Sequence, residues 1–359
     1  MAATLNPGQP PSMSLEAAER ALLEAVRRQP GAQRIASLNL LIRAGDDADA
    51  QRLARELEPV LAAHPARVLL LTPGLSPARE WRVRLLGAME RPAGGVHAEI
   101  LHLRGGLAED AGAAAMPLLR SGLPVCLWWR GASPAQAPGF AALAQLADRV
   151  LYDSVELGAQ GDDWRALSRQ MRAQPHPSTA IDLVWPRMTR WRRLLAQAAE
   201  TPTGLRLWAG LDRIHFQACA GQPPLNAAAL MLAGWLISRL GWQLGRRPAA
   251  ERFQLRTPRH DEAAIEFRAL DCGQPETIFY GLRLEHSRAG LRLELERNGS
   301  RIQAEFWEHQ ASLGASVGAF PPTDALAALA QELQLCHPDQ VFEEAQAAAL
   351  RLLEQPVEP

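Results

Sequence analysis

The amino-acid sequence predicts an N-terminal α/β layered domain, followed by an α+β domain with an antiparallel sheet and C-terminal helices. Three observations predict this fold class. In the first half, short apolar runs alternate with segments of helical periodicity, which is typical of a layered α/β domain. Short alternating runs around an Asn298-Gly299 turn predict an antiparallel hairpin in the second half. Two segments rich in alanine and leucine follow and predict closing helices.

Length and charge restrict the class of protein before any motif is considered. The chain has 359 residues, 38 Lys+Arg against 39 Asp+Glu and a formal charge of −1, which is typical of a globular protein with two domains. Near-neutral charge argues against a general nucleic-acid binder or a protein of anionic membranes. The sequence contains no lysine, which excludes a P-loop lysine and a lysine Schiff base.

The N-terminal domain is expected to span residues 1–173. Ser14 can cap a first helix over residues 14–28. Gly45 and the acidic residues that follow it suit a turn and the start of a helix. The predicted strands are 35–42, 67–71, 96–103, 125–129 and 150–152, and the predicted helices between them are 50–63, 109–120 and 140–147.

Residues 174–179 (QPHPST) combine two prolines with polar residues and are predicted to be a linker. The second domain is expected over residues 180–359, with a stretch of mixed character at 205–219. Its predicted helices are 191–199, 226–240, 323–335 and 339–353, and its predicted strands are 262–267, 277–285, 291–296 and 301–308.

Targeting signals and metal motifs are not evident. Residues 1–14 have neither a basic region nor an apolar run, and the apolar run at 227–237 is too short to span a bilayer. A cytoplasmic protein without transmembrane segments is expected. The four cysteines are widely separated and form no C-x-x-C pair, so reduced thiols and no metal site are expected; they are Cys126, Cys219, Cys272 and Cys336.

Two glycine motifs could indicate catalysis. Residues 314–318 (GASVG) match the G-x-S-x-G pattern of a nucleophile elbow around Ser316, but Pro321 and Pro322 follow before a helix can begin, which favours an accidental match. Gly105 and Gly106 stand where backbone amides could hold a phosphate, but acidic residues at 109 and 110 would repel an anion. The sequence therefore predicts no catalytic residues and no cofactor site.

Residues 185–193 (WPRMTRWRR) interleave arginines with two indoles. This composition could stack on bases, pack into the domain or form a protein interface, because tryptophan and arginine are enriched in interface hot spots. Without a wider basic surface, packing or a protein interface is favoured over nucleic acid. The candidate partner-binding residues are Trp185, Arg187, Arg190, Trp191 and Arg192.

Four segments together resemble the glucose-6-phosphate dehydrogenase assembly protein (OpcA) family. They are residues 122–130 (GLPVCLWWR), similar to an LPV-x-LWW strand; 149–154 (RVLYDS), similar to a V-x-x-DS strand end; 182–197 (DLVWPRMTRWRRLLAQ), similar to a DL-x-W-x-R-x-T-x-WR-x-LLAQ block; and 232–242 (LAGWLISRLGW), similar to a GWL-x-x-RLGW helix. Their order and spacing agree with the family's, and the resemblance runs from residue 35 to about residue 242.

The resemblance implies a non-catalytic protein that binds glucose-6-phosphate dehydrogenase, promotes its active oligomer and raises its activity in the oxidative pentose phosphate pathway. In photosynthetic bacteria the family is linked to thioredoxin-dependent control, which implies thioredoxin as a further candidate partner. Cys272 and Cys336, near loops or helix ends, are the candidate redox thiols. The alternative hypothesis is an α/β enzyme, either a hydrolase using Ser316 or a sugar-phosphate enzyme using arginines.

Overall fold

The computed structural model describes residues 13–18, 20, 36–74, 80–90, 96–134, 137–173, 179–273, 279–321, 323–334 and 339–358. The predicted first helix is described at residues 15–18 and 20, which are helical, and the rest of it lies outside the described residues. Residues 174–178 of the predicted linker and the candidate thiol Cys336 also lie outside them.

The elements are numbered in chain order. The strands are β1 (Met13–Ser14), β2 (Leu38–Arg43), β3 (Ala66–Pro73), β4 (Arg82–Glu90), β5 (Val96–Gly105), β6 (Val125–Trp129), β7 (Arg149–Tyr152), β8 (Thr179–Asp182), β9 (Arg213–Cys219), β10 (Gln243–Leu244), β11 (Arg252–Arg256), β12 (Glu262–Leu270), β13 (Gly281–His286), β14 (Leu291–Asn298), β15 (Arg301–Glu308) and β16 (Ala311–Ala319). The helices are α1 (Asp47–Glu56), α2 (Glu58–Ala63), α3 (Ala111–Ala115), α4 (Phe140–Ala144), α5 (Gly161–Arg172), α6 (Val184–Arg187), α7 (Thr189–Ala199), α8 (Pro202–Ala209), α9 (Ala227–Leu240), α10 (Ala325–Leu333) and α11 (Gln340–Glu354).

Contacts between residues divide the chain into two units, and each unit takes segments from distant parts of the sequence. The first unit takes its described residues from Met1–Leu157, Gln170–Leu183 and Ala325–Cys336. The second unit takes its described residues from Gly158–Arg169, Val184–Asp324 and His337–Pro359. The chain therefore passes from one unit to the other more than once.

The first unit is built on a sheet in the order β1-β4-β5-β3-β2-β6-β7-β8. Six neighbouring strands, from β5 to β8, are parallel. Their order is that of a doubly wound nucleotide-binding fold, with the reversal of strand order between β2 and β6. Both faces are covered, because every residue of β6 and residues 38–42 of β2 are buried.

Strand β4 and the helix predicted over 109–120 differ from the prediction for this unit. Strand β4, which pairs antiparallel with β5, was not predicted, because its short Arg/Val/Arg/Leu alternation breaks at Leu86 and Gly87, where the pairing with β5 also shifts register. The long helix predicted over 109–120 is reduced to α3 between two short 3-10 turns. Pro117 lies in the second turn, and a proline inside a helix removes a backbone donor.

The second unit is built on a sheet in the order β10-β11-β12-β9-β13-β14-β15-β16. All neighbouring pairs are antiparallel except β12 with β9, which is parallel. The predicted hairpin at Asn298-Gly299 is confirmed: β14 pairs with β15 through Asn298 opposite Arg301, and Gly299 has the positive φ that this turn requires. One face of the sheet carries the core, where Ile214, Leu284 and Leu293 are fully buried.

Two helices, α9 and α11, pack closely in the second unit. The side chain of Asn226 caps α9 by accepting the backbone N–H of Ala229 at 2.9 Å, as its position before an apolar run predicts. Gly234 permits the close approach, because a Cβ atom there would stand 2.0 Å from the carbonyl oxygen of Ala345 in α11. The buried run at 227–237 is therefore a packed helix of a globular unit, as the sequence predicted.

Candidate functional site

The first turn at the reversal point of the first sheet is occupied by acidic residues. In doubly wound folds this turn brings glycines and a helix N-terminus against a pyrophosphate. Here β2 leads through Gly45 into α1, whose cap is Asp46: its carboxylate accepts the backbone N–H of Asp49 at 2.7 Å. Asp47 and Asp49 follow in the first helical turn. This helix start already carries negative charge and would repel a phosphate.

Arginine side chains fix the carboxylates at this edge. Arg130 contacts Asp49 at 3.1 Å and Glu156 at 3.1 Å. Burial disfavours the charged form of Asp49, but the Gly45 N–H, Arg130 and Arg52 together favour it, so the pKa of Asp49 lies below its ordinary value. Burial raises the pKa of Glu156. Arg130 thus joins residues from three different βα connections, because Asp49 follows β2, Arg130 follows β6 and Glu156 follows β7.

His102, on β5, is the most perturbed histidine described at this edge. Its Nε2 lies 3.0 Å from the Thr72 hydroxyl and 3.7 Å from Asp47, and its side chain is fully buried. Burial lowers the pKa of His102 to about 4, against the attraction of Asp47. The imidazole is therefore neutral at physiological pH.

In the second unit, the tryptophans of the 185–193 segment are buried rather than exposed. Trp185 is 2% exposed and Trp191 1%. The indole of Trp185 donates to Asp339 Oδ2 at 2.7 Å, and Trp191 packs edge-on against Phe279 and Phe320. Both tryptophans are therefore core residues that hold α6 and α7 in place, and neither side chain lies on the surface.

The arginines of the same segment have separate environments. The guanidinium of Arg192 lies 3.4 Å from the Trp185 ring centroid and donates to the Trp185 carbonyl at 2.8 Å, which fixes the turn between α6 and α7. Arg187 is half-buried. Arg190 donates to the Pro321 carbonyl at 3.1 Å, and Arg193 is exposed. Arg193 was not among the residues predicted from the sequence, although it lies in the same basic run.

Arg190 and Arg193 line a groove of about 400 Å³ beside the last strands of the second sheet. We call it the α7 groove. Its walls come from α7, β15, the end of β16 and the residues that follow; the lining residues are Arg190, Arg193, Leu194, Ile302, Gly318, Ala319, Phe320 and Pro321. Two guanidinium groups beside an apolar floor suit a protein segment that carries both apolar and acidic side chains.

The open face of the second sheet carries paired charges. His215 on β9 lies between Glu266 on β12, 3.2 Å from Nδ1, and Glu285 on β13, 3.8 Å from Nε2. The neighbouring imidazole of His215 lowers the pKa of Glu285. Arg252 and Arg268 both contact Glu266. Glu266 lines a depression of about 800 Å³. The pKa values of Glu266 and Glu285 both lie below the ordinary value, which does not suit a general acid.

Ser316, the candidate nucleophile of the alternative hypothesis, lies in the middle of β16. The G-x-S-x-G match is therefore part of a strand and not a strand-to-helix elbow. The Ser316 hydroxyl is exposed and donates to the Ala304 carbonyl at 3.5 Å. Because a serine nucleophile needs a base within hydrogen-bond reach, this environment gives Ser316 no activation.

The cysteines differ from the expectation of reduced thiols. Cys219, at the end of β9, and Cys272, just after β12, form a disulfide with a Cα–Cα distance of 5.4 Å, so that expectation is wrong for this pair. Register explains the pairing: Cys219 stands opposite Leu270 in the parallel pair of β9 and β12. Cys126 is a buried free thiol whose pKa burial raises to about 11. Within the described residues, no cluster of ligands that could hold a metal ion is found.

No helix among the described residues is long and apolar enough to cross a membrane.

Two family models match consecutive parts of the chain. Residues 58–169 match the N-terminal domain of the glucose-6-phosphate dehydrogenase subunit. Residues 178–346 match the C-terminal domain of the same family. Among curated proteins, the chain is 30% identical over 174 residues to an OxPP cycle protein OpcA of Nostoc punctiforme, covering 48% of this chain and 35% of the relative. It is 28% identical over 218 residues to an OpcA of Synechococcus elongatus, covering 59% and 46%. The matched parts thus span less than half the length of these relatives.

Solved structures with a similar arrangement have low sequence identity. An aldose-aldose oxidoreductase of Caulobacter crescentus has 11% identity and a TM-score of 0.48, covering 89% of this chain and 96% of that one. An NAD binding oxidoreductase of Klebsiella pneumoniae has 12% identity and a TM-score of 0.46, covering 89% and 95%.

Proposed function

Since the chain belongs to the glucose-6-phosphate dehydrogenase assembly protein (OpcA) family, we propose that it binds glucose-6-phosphate dehydrogenase, promotes the active oligomer and raises its activity. The observation that carries this proposal is the pair of family matches, which follow one another over residues 58–169 and 178–346. The dehydrogenase would supply the cofactor and the chemistry of the oxidative pentose phosphate pathway. This chain would supply a binding surface.

The residues of both units support a non-catalytic role. The turn that receives a pyrophosphate in doubly wound folds carries Asp46, Asp47 and Asp49, which disfavour a nucleotide. Ser316 has an exposed hydroxyl that donates to a backbone carbonyl. An activator needs neither group, because it acts by binding the active conformation of its partner more tightly than the inactive one.

Within this proposal, the α7 groove is the contact surface. Arg190 and Arg193 offer guanidinium groups to acidic side chains of the dehydrogenase, and Leu194 offers an apolar contact. Of the residues that the sequence indicated, Trp185, Trp191 and Arg192 position α7 from beneath, because the tryptophans are buried and Arg192 stacks on Trp185. Arg187 is half-buried at the end of α6 and is proposed as part of the same support.

Thioredoxin is proposed as a further partner through the Cys219–Cys272 disulfide. Cys219 is fully buried and Cys272 is half-buried, so an attacking thiolate would reach the sulfur of Cys272 first. Reduction would release Cys219 as the leaving thiolate and free the end of β12 from the end of β9. Cys336 stays a candidate from the sequence alone.

The test is to titrate the purified chain into the dehydrogenase of the same organism, with and without reductant, and to follow NADPH formation and the mass of the complex. We expect a saturable rise in rate together with a heavier complex. A dependence on reductant would support the role of the disulfide. Absence of both binding and rate change under either condition would overturn the proposed function.

The first prediction concerns the groove. Arg193→Glu should weaken the complex at least about 10-fold, because it replaces a cation of the proposed surface by an anion. The apparent Kd from the activity titration measures this. Arg259→Glu is the matched control, since Arg259 is an exposed arginine of the same unit outside the groove. Equal apparent Kd values for the two variants would remove the α7 groove from the interface while leaving the dehydrogenase as partner.

A further inference from the structure

The depression of about 800 Å³ on the open face of the second sheet lies around a short side chain. Ala264 of β12 stands between Gln254 of β11 and Arg213 of β9 in the strand pairing, and all three line the depression. A methyl group between two longer side chains leaves a hollow in the surface of a sheet. We call this hollow the β12 depression. Its volume lies in the range of pockets that hold small molecules.

The charged groups of the β12 depression are mostly arginines. Five arginines from β9, β11, β12 and the segment between β10 and β11 line it; they are Arg213, Arg246, Arg252, Arg256 and Arg268. Three carboxylates line it as well, those of Asp212, Glu262 and Glu266, so the arginines outnumber them by two. A guanidinium group presents a planar set of donors that matches the oxygens of a phosphate group.

Two of the three carboxylates already have partners. The carboxylate of Asp212 accepts the backbone N–H of Ser287 at 3.1 Å and its hydroxyl at 2.8 Å. Glu266 contacts His215 and two arginines of the lining. These two carboxylates are therefore engaged and do not neutralise the other arginines of the depression.

Two arginines of the β12 depression keep their donors available. Arg213 and Arg256 are exposed, and neither forms an ion pair or a side-chain hydrogen bond with a described residue. Arg213 contributes to the lowered pKa of Glu285, and Arg256 stands opposite Glu262 in the strand pairing. The two arginines are two strands apart and offset by two residues, which places their Cα atoms about 12 Å apart. Two arginine side chains can reach one phosphate group across this distance.

The other polar groups of the lining suit hydroxyl groups. The side chains of Gln243, Gln254 and Ser287 line the depression, and amide and hydroxyl groups both donate and accept hydrogen bonds. Among the described residues, no Phe, Tyr or Trp lines it, so it offers none of these rings for stacking on a nucleobase. A phosphate group on a small body rich in hydroxyls therefore fits better than a nucleotide.

We propose that the β12 depression binds a sugar phosphate, with Arg213 and Arg256 on the phosphate group and Gln243 and Gln254 on the hydroxyl groups. A phosphate monoester carries about two negative charges at neutral pH, which matches the excess of arginines over carboxylates in the lining. Glu262 competes with the phosphate for Arg256. This inference rests on the second sheet alone and does not depend on the dehydrogenase as partner.

The test is isothermal titration calorimetry on the full chain alone, without the dehydrogenase. The probes are glucose 6-phosphate, ribose 5-phosphate, glucose and AMP. At least one of the two sugar phosphates should bind saturably, with one molecule per chain, and glucose should not bind. AMP is ribose 5-phosphate that carries a base, and it should bind no more tightly than ribose 5-phosphate, because the depression offers no ring for the base.

Three variants test the residues. Arg213→Gln should raise the Kd of the sugar phosphate at least about 10-fold, because it removes charge-assisted hydrogen bonds to the phosphate. Glu262→Gln should lower that Kd, because it removes the carboxylate that competes for Arg256. Arg301→Gln is the matched control and should leave the Kd unchanged, since Arg301 is an exposed arginine of β15 in the same sheet and does not line the depression.

Three results would overturn the proposal. Absence of saturable binding by both sugar phosphates would exclude the site. Equal losses of affinity in Arg213→Gln and Arg301→Gln would attribute binding to overall charge and not to the β12 depression. Tighter binding of AMP than of ribose 5-phosphate would assign a nucleotide instead of a sugar phosphate. Circular dichroism and thermal melts that match those of the unsubstituted chain show that each variant is folded.

Discussion

At the scale of single residues, His102 is the group that links protonation to stability. It is fully buried beside Thr72 and Asp47, and burial lowers its pKa from 6.5 to about 4. In the unfolded chain the same imidazole would protonate near its ordinary pKa of about 6.5. The unfolded state therefore binds more protons than the folded state between these two values, and stability falls as the pH is lowered through them.

The prediction is that the unfolding free energy of the first unit drops by up to about 3 kcal/mol between pH 6.5 and pH 4 through this histidine. His102→Gln keeps a polar side chain that does not titrate and should remove that part of the pH dependence. Urea unfolding at pH 7 and at pH 4.5 measures it. The same loss of stability in the variant as in the unsubstituted chain would show that the carboxylates of the edge, and not His102, cause it.

The tryptophans show what could be predicted for single residues. The sequence shows that both tryptophans lie in a basic run. It leaves two alternatives for them, packing in the domain or forming a protein interface. Burial decides between them: Trp185 is held by Asp339 and Trp191 by Phe279 and Phe320. These partners come from more than 85 residues further along the chain, so no local pattern could have revealed them. A distant partner also distinguishes one arginine of the run from the others, because Arg190 contacts Pro321.

At the scale of elements, the Cys219–Cys272 disulfide ties the ends of two neighbouring strands across 53 residues of sequence. The loop contains α9, β10, β11 and β12. Closing a loop of this length restricts the unfolded chain, an effect worth about 4 kcal/mol in the chain-entropy account. The cross-link therefore acts on the central strands of the second sheet and not on its edges.

The prediction is that Cys219→Ser with Cys272→Ser lowers the melting temperature of the second unit by about 10 °C. Reductant should lower the melting temperature of the unsubstituted chain by a similar amount and leave that of the double variant unchanged. Differential scanning calorimetry with and without reductant measures both. Identical melting of the two proteins without reductant would mean that this pair is reduced in solution.

Strands and helices with a strong apolar pattern were predicted correctly, and elements defined by long-range pairing were not. The strand at 125–129, the hairpin at Asn298-Gly299 and the capped helix α9 are confirmed, because their signals are local. Strand β16 was not predicted, since its glycines and serines indicate a loop. Only its pairing with β15 makes it a strand. The place of Ser316 in a strand agrees with the interpretation of the G-x-S-x-G match around it as accidental.

At the scale of the whole molecule, no single boundary in the sequence separates the two units. The sequence predicted domains at 1–173 and 180–359, and this boundary remains a proposal. In the structure, β8 pairs with β7 in the first sheet, although it begins at Thr179, the last residue of the predicted linker. Helix α10, near the other end of the chain, also belongs to the first unit: Glu332 contacts Arg149 at 3.0 Å, with side chains 3% and 13% exposed.

The prediction is that a fragment of residues 1–173 does not fold cooperatively. It would lack β8 and α10, remove Glu332 from Arg149 and expose the edge of β7, and the loss of an ion-pair partner of a largely buried charge is costly. Thermal melting followed by circular dichroism measures this. As a control, residues 1–183 joined by a Gly/Ser linker to residues 325–336 should regain a melting transition. A sharp transition in the 1–173 fragment would support the predicted boundary.

The exchange of segments also determines the order in which the chain can fold during its synthesis. The first unit needs the segment that begins at Ala325, and the second needs the segment that begins at His337. A ribosome must therefore translate most of this sequence before the first unit has all its parts, so that unit cannot finish folding before much of the second has emerged. Domains of many multidomain proteins are completed one after another from the N-terminus. Here both units are completed almost together. Until then, the long uncharged edge strand β16 is present beside sheets that have not finished folding.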